Sequence, residues 1–276
     1  MGLLNGKVAV VTGASMGIGE AIARKFVNEG ATVVLCSRDA GRVEAARERI
    51  GSVERTLALA CDVRNRPEIE RVVSLTLHNF QRIDIWVNNA GYGLVDEVGD
   101  MDMSECRRMF ETNLFGAIEA MQCVIPAMKR QGSGSIINIS SVTAHIAVPY
   151  QAAYSATKSA MNSISYATRL ELRGSGVNVM TVCPGYIATD FARNAVVRPN
   201  AKKVSSGRGG PTADVVADAV LNGYLKNKRE VAVPWHYWLF IRLYEWFPSL
   251  VEGQMMKRVQ PAKQTAPSAQ PAGKGS

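Results

Sequence analysis

Short continuous apolar runs alternate along this chain with longer stretches in which apolar residues recur every three or four positions. Lys7-Val8-Ala9-Val10-Val11, Ala31 to Cys36, Thr56 to Cys61, Ile83 to Val87, Ser135 to Ile139, Asn178 to Cys183 and Glu230 to Val233 are the runs. They have the length and β-branched content of strands buried on both faces. After the first run, Ile18, Ala21, Ile22 and Phe26 make the stripe of a helix that Gly30 can end. Further helices are predicted over Ala40 to Ile50, Pro67 to Phe80, a long region from Met103 to Lys129, Gln151 to about Leu172, and from Pro211 to about Asn227. Strand and helix in alternation imply right-handed crossovers, hence an α/β fold with a doubly wound parallel sheet covered on both sides.

Chemistry gathers where the predicted strands end. Gly13, Arg38, Asp62, Asn88, Ser141 and Pro184 each fall just past a strand's carboxyl end, the edge along which open parallel sheets bind ligands. Thr12-Gly13-Ala14-Ser15-Met16-Gly17-Ile18-Gly19 sits between a strand and a helix. Glycines there let the backbone approach a pyrophosphate at the helix N-terminus, where free N–H groups favour anions. About 20 residues further on, such sites place an acid on the ribose 2′-hydroxyl. Ser37 and Arg38 occupy that neighbourhood instead and suit a 2′-phosphate, which points to NADP(H). Two other readings accompany these residues: a solvent-facing Arg38 beside Asp39 as a helix N-cap, and Asp39 as the acid of an NAD site.

Tyr154 and Lys158 stand at i and i+4 of the Gln151 helix, facing the same way. A cation beside a phenol favours the phenolate, so the Tyr154 pKa is expected to fall toward a useful range. By itself the pair also fits an ordinary helix surface. Ser140 and Ser141 end the preceding strand, and His145 to Tyr150 form an expected pocket wall.

Composition narrows the class. The chain has 276 residues, 47% of them hydrophobic, enough for a substantial core. Its formal net charge of +8 permits anionic partners without selecting one, and no zinc-finger spacing, basic heptad helix or aromatic-basic RNA-recognition pattern supports nucleic acid. The five cysteines are odd in number and widely spaced, which suggests reduced thiols, and no sequence-local metal-ligand cluster is seen. The first residues lack a signal-peptide pattern and Gly6 stands where a myristoylation motif needs Ser or Thr, so a cytoplasmic location is expected. From Phe191 to Ala213, Arg193, Arg198, Lys202, Lys203 and Arg208 occur without an acid, near Gly207, Gly209 and Gly210; residues 186–212 are a candidate lid. Trp235 to Phe247 is an aromatic block too short and polar to span a bilayer. It suits core or subunit packing, peripheral contact with a membrane interface, or the wall of an apolar pocket. The expected organisation is therefore a domain over 1–235, an aromatic extension over 236–259, and a disordered tail over 260–276 rich in Pro, Ala, Gln and Ser. His145 and His236 are expected to pack rather than catalyse.

In combination, Thr12-Gly13-x-x-x-Gly17-x-Gly19, Asn88-Asn89-Ala90-Gly91, Asn113, Ser141, Tyr154-x-x-x-Lys158 and Pro184-Gly185 with Thr189 resemble the short-chain dehydrogenase/reductase family over about the first 235 residues. The resemblance implies a single-domain Rossmann-type fold and an oxidoreductase of homodimeric or homotetrameric state. Tyr154 would be the acid/base, Ser141 would hold the substrate oxygen, Lys158 would grip the nicotinamide ribose, and Asn113 would position a water for proton relay. Ser141 rather than Ser140 matches the family's serine, thirteen residues ahead of the tyrosine. The cofactor would lie against Gly13, Ser15, Met16, Gly17, Ile18, Gly19, Ser37, Arg38, Asp62, Val63, Asn89, Ala90, Gly91, Tyr154, Lys158, Pro184, Gly185, Ile187 and Thr189. The tight Tyr-x-x-x-Lys spacing is unlike that of the family's enoyl reductases, so the implied reaction interconverts a carbonyl and an alcohol in a small, largely apolar substrate, and no metal is required. A non-catalytic NADP(H)-binding regulatory or scaffold protein is the alternative.

Overall fold

A computed structural model describes residues 2–198, 201–204 and 209–261. Seven strands make one sheet: β1 (Val8–Thr12), β2 (Thr32–Ser37), β3 (Thr56–Ala60), β4 (Ile85–Asn88), β5 (Gly134–Ile139), β6 (Val177–Pro184) and β7 (Glu230–Val233). Their spatial order is β7-β6-β5-β4-β1-β2-β3, with every neighbouring pair parallel. The apolar runs behave as their composition requires. Every residue of β1 is buried, with Ala9 and Val11 packing on one face of the sheet and Val10 on the other. Burying a Val or Leu side chain contributes about 1.5–3 kcal/mol, so a strand of such residues is stable only with helices on both faces.

Those helices are α1 (Gly17–Asn28), α2 (Ala40–Ile50), α3 (Arg66–Phe80), α4 (Met103–Phe110), α5 (Gly116–Gln131), α6 (Ala152–Glu171) and α7 (Ala213–Leu225). Phe26 of α1, Val43 of α2 and Val220 of α7 share one core with Val11 and Leu35. Val72 of α3 and Val124 of α5 share the other with Val10, Trp86 and Ile136. Trp86 is fully buried, and its indole N–H donates to Asn88 Oδ1 at 2.8 Å, which meets the polar requirement of a buried tryptophan. Asn88 Nδ2 donates in turn to Asn138 Oδ1 at 2.8 Å, tying β4 to β5 below the ligand edge.

Three expectations gain detail in the structure. The region from Met103 to Lys129 is helical as expected, with a turn of π-helix, Glu111–Phe115, between α4 and α5. The aromatic block forms α8 (Tyr237–Trp246), followed by α9 (Pro248–Met256), and the two pack on each other as a hairpin. The basic segment after Phe191 is partly neutralised by acids from elsewhere, since Arg193 pairs with Asp190 at 2.9 Å and Arg198 with Asp102 at 3.3 Å. Two small ladders hold that segment: Leu94–Val95 beside Val196–Val197, and Lys202–Val204 antiparallel to Val259–Pro261. Gly207, Arg208 and residues 262–276 of the expected tail lie outside the described residues. Among the described residues no helix is long and apolar enough to cross a membrane.

Candidate active site

Strand order reverses between β1 and β4: the chain runs outward through β2 and β3, then returns to the other side of β1. Crossovers leave on opposite faces there and open a crevice at the carboxyl edge. Gly13 lies in it with φ +65°, and a Cβ at this position would stand 2.8 Å from Ala90 Cα. A Cβ on Gly19 would overlap Gly13 O and Asn89 Nδ2. Asn89 Nδ2 donates to Thr12 O at 2.9 Å and Gly13 O at 3.1 Å. The Thr12 hydroxyl donates to Val87 O at 3.1 Å and accepts from Asn89 N at 3.0 Å and Ala90 N at 3.2 Å. The glycine turn and the Asn88-Asn89-Ala90-Gly91 segment are therefore one locked unit. Beside it α1 begins at Gly17 without a side-chain cap, so its first-turn N–H groups are available to an anion. Gly17, at φ +59°, has only Thr189 near its Cβ direction, at 3.7 Å.

From this turn a cavity of about 1240 Å³ runs along the sheet edge. Of the residues singled out in the sequence, Gly13, Met16, Gly17, Ile18, Asn89, Ala90, Gly91, Ser141, Tyr154, Lys158, Pro184, Gly185, Ile187 and Thr189 line it. Ser15, Gly19, Ser37, Arg38, Asp62, Val63 and Asn113 do not line it. The Lys158 ammonium donates to Ile139 O at 2.9 Å and stands 5.7 Å from the Tyr154 ring centroid. The Ser141 hydroxyl donates to Pro184 O at 3.4 Å and accepts from Thr143 N at 3.2 Å. Asn113 sits in the π-turn, where an extra residue per turn re-aims side chains. Its Nδ2 donates to Tyr92 O at 2.9 Å and its Oδ1 accepts from Tyr92 N at 3.0 Å. That pair of bonds pins the backbone after Gly91.

Electrostatics correct one expectation. The Tyr154 pKa is not lowered: burial pushes it up to about 12, and the nearby Ser141 hydroxyl works the other way without outweighing it. Burial lowers the Lys158 pKa to about 8. At neutral pH the site thus presents a neutral phenol beside a cation, because desolvation disfavours the charged form of each group.

At the far end of the crevice, beyond β2, the Ser37 hydroxyl donates to Ser15 Oγ at 3.2 Å. Arg38 is exposed and makes no hydrogen bond or ion pair among the described residues. Asp39 is the N-cap of α2 and accepts from Arg42 N at 2.9 Å. Asp62 is held by Arg64, which lowers its pKa.

The opposite end is mainly apolar, although Gln254 and Arg258 also line the cavity. Ile146 and Val148 line it, whereas His145 and Tyr150 of the expected wall do not. Tyr237, Phe240, Leu243, Leu250, Val251 and Met255 of the α8–α9 hairpin complete it. Gly185 is the seat of this hairpin: a Cβ there would overlap the Tyr237 ring, and Tyr237 OH accepts from Tyr186 N at 3.3 Å. His236, stacked on Tyr237 with ring centroids 5.2 Å apart, also lines the cavity. Thr143 brings a buried hydroxyl oxygen without a partner to this wall.

A family model for short chain dehydrogenases matches residues 7–199, and these contain both the glycine turn and the Tyr154–Lys158 pair. The chain belongs to the short chain dehydrogenase family. The ketoacyl reductase HetN of Nostoc sp. is 34% identical over 234 residues, 84% of this chain and 80% of that protein. Among solved structures, a 3-ketoacyl-(acyl-carrier-protein) reductase from Brucella melitensis complexed with NADH is 28% identical, with a TM-score of 0.75 over 83% of this chain and 97% of its own. A metagenomic short-chain oxidoreductase in complex with NADP is 33% identical, with a TM-score of 0.69 over 83% and 97%.

Behind its pocket wall this dehydrogenase carries a polar hub that no sequence spacing announced. Glu230 at the start of β7 is paired with His145 Nε2 at 2.6 Å, accepts from Tyr166 OH at 2.6 Å, and accepts from Cys183 Sγ at 3.1 Å. Its pKa is lowered against the pull of burial by these donors, His145 foremost. His145, Cys183 and Glu230 thus converge although they are far apart in sequence. The carboxylate holds the loop after Ser141 against the sheet. Thr143 was likewise missed, since its unpartnered state depends on packing, and of Thr12, singled out only as the start of the glycine motif, the bonds to Val87, Asn89 and Ala90 were not foreseen.

Proposed function

We propose that this chain is an NADP(H)-dependent oxidoreductase that interconverts a carbonyl and an alcohol in an apolar, lipid-like substrate, with Tyr154 as acid/base. The observation that carries this reading is the joining of Ser141, Tyr154 and Lys158 in a cavity with a glycine-lined end and an aliphatic-aromatic end. The residues fit the cofactor. The open approach over Gly17, the uncapped first turn of α1 and the unpaired, exposed Arg38 offer backbone room, N–H donors and a cation for a nucleotide with an extra phosphate. Gly13, Gly17 and Ile18 would hold the pyrophosphate, Arg38 with Ser37 the 2′-phosphate, and Lys158 the nicotinamide ribose. The bound nicotinamide supplies or accepts the hydride. Relatives hold NADH or NADP, so the preference for NADP(H) rests on Arg38 and on the commitment of Asp39 to capping α2.

In the reductive direction Tyr154 gives its phenolic proton to the substrate oxygen, and a pKa of about 12 keeps that proton available at neutral pH. Ser141, by turning its hydroxyl from Pro184 O, donates a hydrogen bond to the same oxygen, and Lys158 adds positive charge to the site while holding the nicotinamide ribose. The apolar end excludes water and accepts a hydrocarbon segment, which agrees with a ketone inside an acyl chain, as in the names of the ketoacyl reductases above. A panel of ketones, aldehydes and secondary alcohols, followed by NADPH absorbance, tests the reading. Turnover is expected to rise with chain length and to disappear in Tyr154→Phe while NADPH still binds. Full activity in that variant overturns the mechanism.

A further inference from the structure

The α8–α9 hairpin has two apolar faces. The inner one lines the cavity through Tyr237, Phe240 and Val251, and the outer one has no cover. Trp235, Leu239 and Leu243, spaced four apart, run into Trp246 and Phe247 as a stripe of exposed large side chains, with Trp235 72% and Trp246 74% accessible. An apolar surface of this extent marks an interaction site. Leu243 and Leu250 are both exposed and cavity-lining, so the mouth of the cavity opens within the patch.

Charge selects the occupant. Arg242 pairs with Glu245 at 2.7 Å and Glu252 accepts from Tyr244 OH at 3.0 Å. Lys257 and Arg258 are exposed and have no acidic partner among the described residues. The ladder between Lys202–Val204 and Val259–Pro261 staples the basic segment beside the hairpin. From Lys257 onward the sequence carries Lys257, Arg258, Lys263 and Lys274 and no acid, in a chain of net charge +8. A second copy seated on this face would cover the cavity mouth at Leu243 and Leu250. An anionic lipid surface satisfies both features: tryptophan and phenylalanine favour the headgroup boundary, and cations favour acidic headgroups.

We propose that the outer face of this hairpin, Trp235, Leu239, Trp246 and Phe247 flanked by Lys257 and Arg258, docks the protein on an anionic phospholipid bilayer, with the cavity mouth at Leu243 and Leu250 turned to the acyl chains. The docking stands on the surface alone; delivery of substrate from the lipid phase rests on the function proposed above.

Co-sedimentation of the full chain with phosphatidylcholine vesicles, with and without phosphatidylglycerol, tests it. The protein is expected to pellet with the anionic vesicles and to be released by high salt. Trp235→Ser/Trp246→Ser/Phe247→Ser, none of which lines the cavity, should lower partitioning by about tenfold or more and leave turnover of a water-soluble ketone unchanged. Turnover of a vesicle-borne ketone should fall in that variant. Protein that stays in the supernatant with both vesicle types overturns the proposal, as does a dimer in analytical ultracentrifugation that the triple substitution dissociates, since the face then belongs to a second copy. Pelleting needs neither cofactor nor turnover, so an inactive protein that still pellets would overturn only the enzymatic reading.

Discussion

The two ends of the cavity are built by opposite means. At the glycine end the backbone is the surface: Gly13, Gly19 and Ala90 touch so closely that no side chain fits between them, and Asn89 and Thr12 bond to main chain. At the apolar end side chains are the surface, brought from the loop after β5, from the end of β6 and from the α8–α9 hairpin. A backbone surface tolerates almost no change, whereas a surface of aliphatic and aromatic side chains can be recut. The first suits a ligand that never varies and the second a ligand that distinguishes one dehydrogenase from another.

The largest test of this contrast is at the junction. Tyr154→Phe removes the proposed proton donor and should lower kcat by about 10²–10⁴-fold in the NADPH-coupled assay, with NADPH affinity retained by fluorescence titration. Next, Gly19→Ala forces a Cβ onto Gly13 O and Asn89 Nδ2 and should cost about 1–3 kcal/mol, read as a lowered denaturant midpoint together with weaker cofactor binding. Phe240→Ala at the other end should instead leave cofactor affinity unchanged and alter the preferred substrate length. Equal damage to cofactor binding by both would break the comparison. Arg38→Ala should weaken NADPH by about tenfold to a hundredfold, as expected for a hydrogen-bonded charge pair worth about 1.5–3 kcal/mol, and leave NADH unaffected in the same titration.

The smallest effect concerns pH. Burial lowers the Lys158 pKa from 10.5 to about 8, so the cation is present below about pH 8 and is lost as pH rises through it. The kcat/KM for reduction should therefore descend above about pH 8, and Lys158→Arg should move that limb upward. For folding the sign is opposite. Between about 8 and 10.5 the unfolded chain binds more protons than the native one, so this group's penalty, complete below about 8, is relieved as pH rises. Thermal melts across that range should show the relief.

Much of the glycine end was legible in the chain, because its determinants are local. A glycine run between an apolar strand and a helix marks a tight turn with close backbone approach, and Tyr154 and Lys158 are neighbours by helical geometry. The alternation of runs also fixed the parallel sheet, although the π-turn at Asn113 interrupted a helix that periodicity alone would continue. The apolar end was not legible in the same way. Trp235 to Phe247 suited three different fates, and the structure shows two of them at once, packing through Ile241 and lining the cavity through Tyr237 and Phe240, while the other face is exposed. The Tyr154 pKa was read with the wrong sign, since proximity of Lys158 in sequence says nothing about how deeply the phenol is buried.

By itself, then, the sequence determined the order of strands and helices along the chain, the glycine turn and the placing of Tyr154 and Lys158 on one helix face, all set by periodicities of two to four residues and by the steric freedom of glycine. Only the tertiary structure decided that Gly185 seats Tyr237, that Glu230 anchors the loop after Ser141 through His145, and that the cavity opens among exposed tryptophans. Each of these joins segments tens of residues apart, and which of them meet is settled by how the helices pack on the sheet rather than by any local spacing.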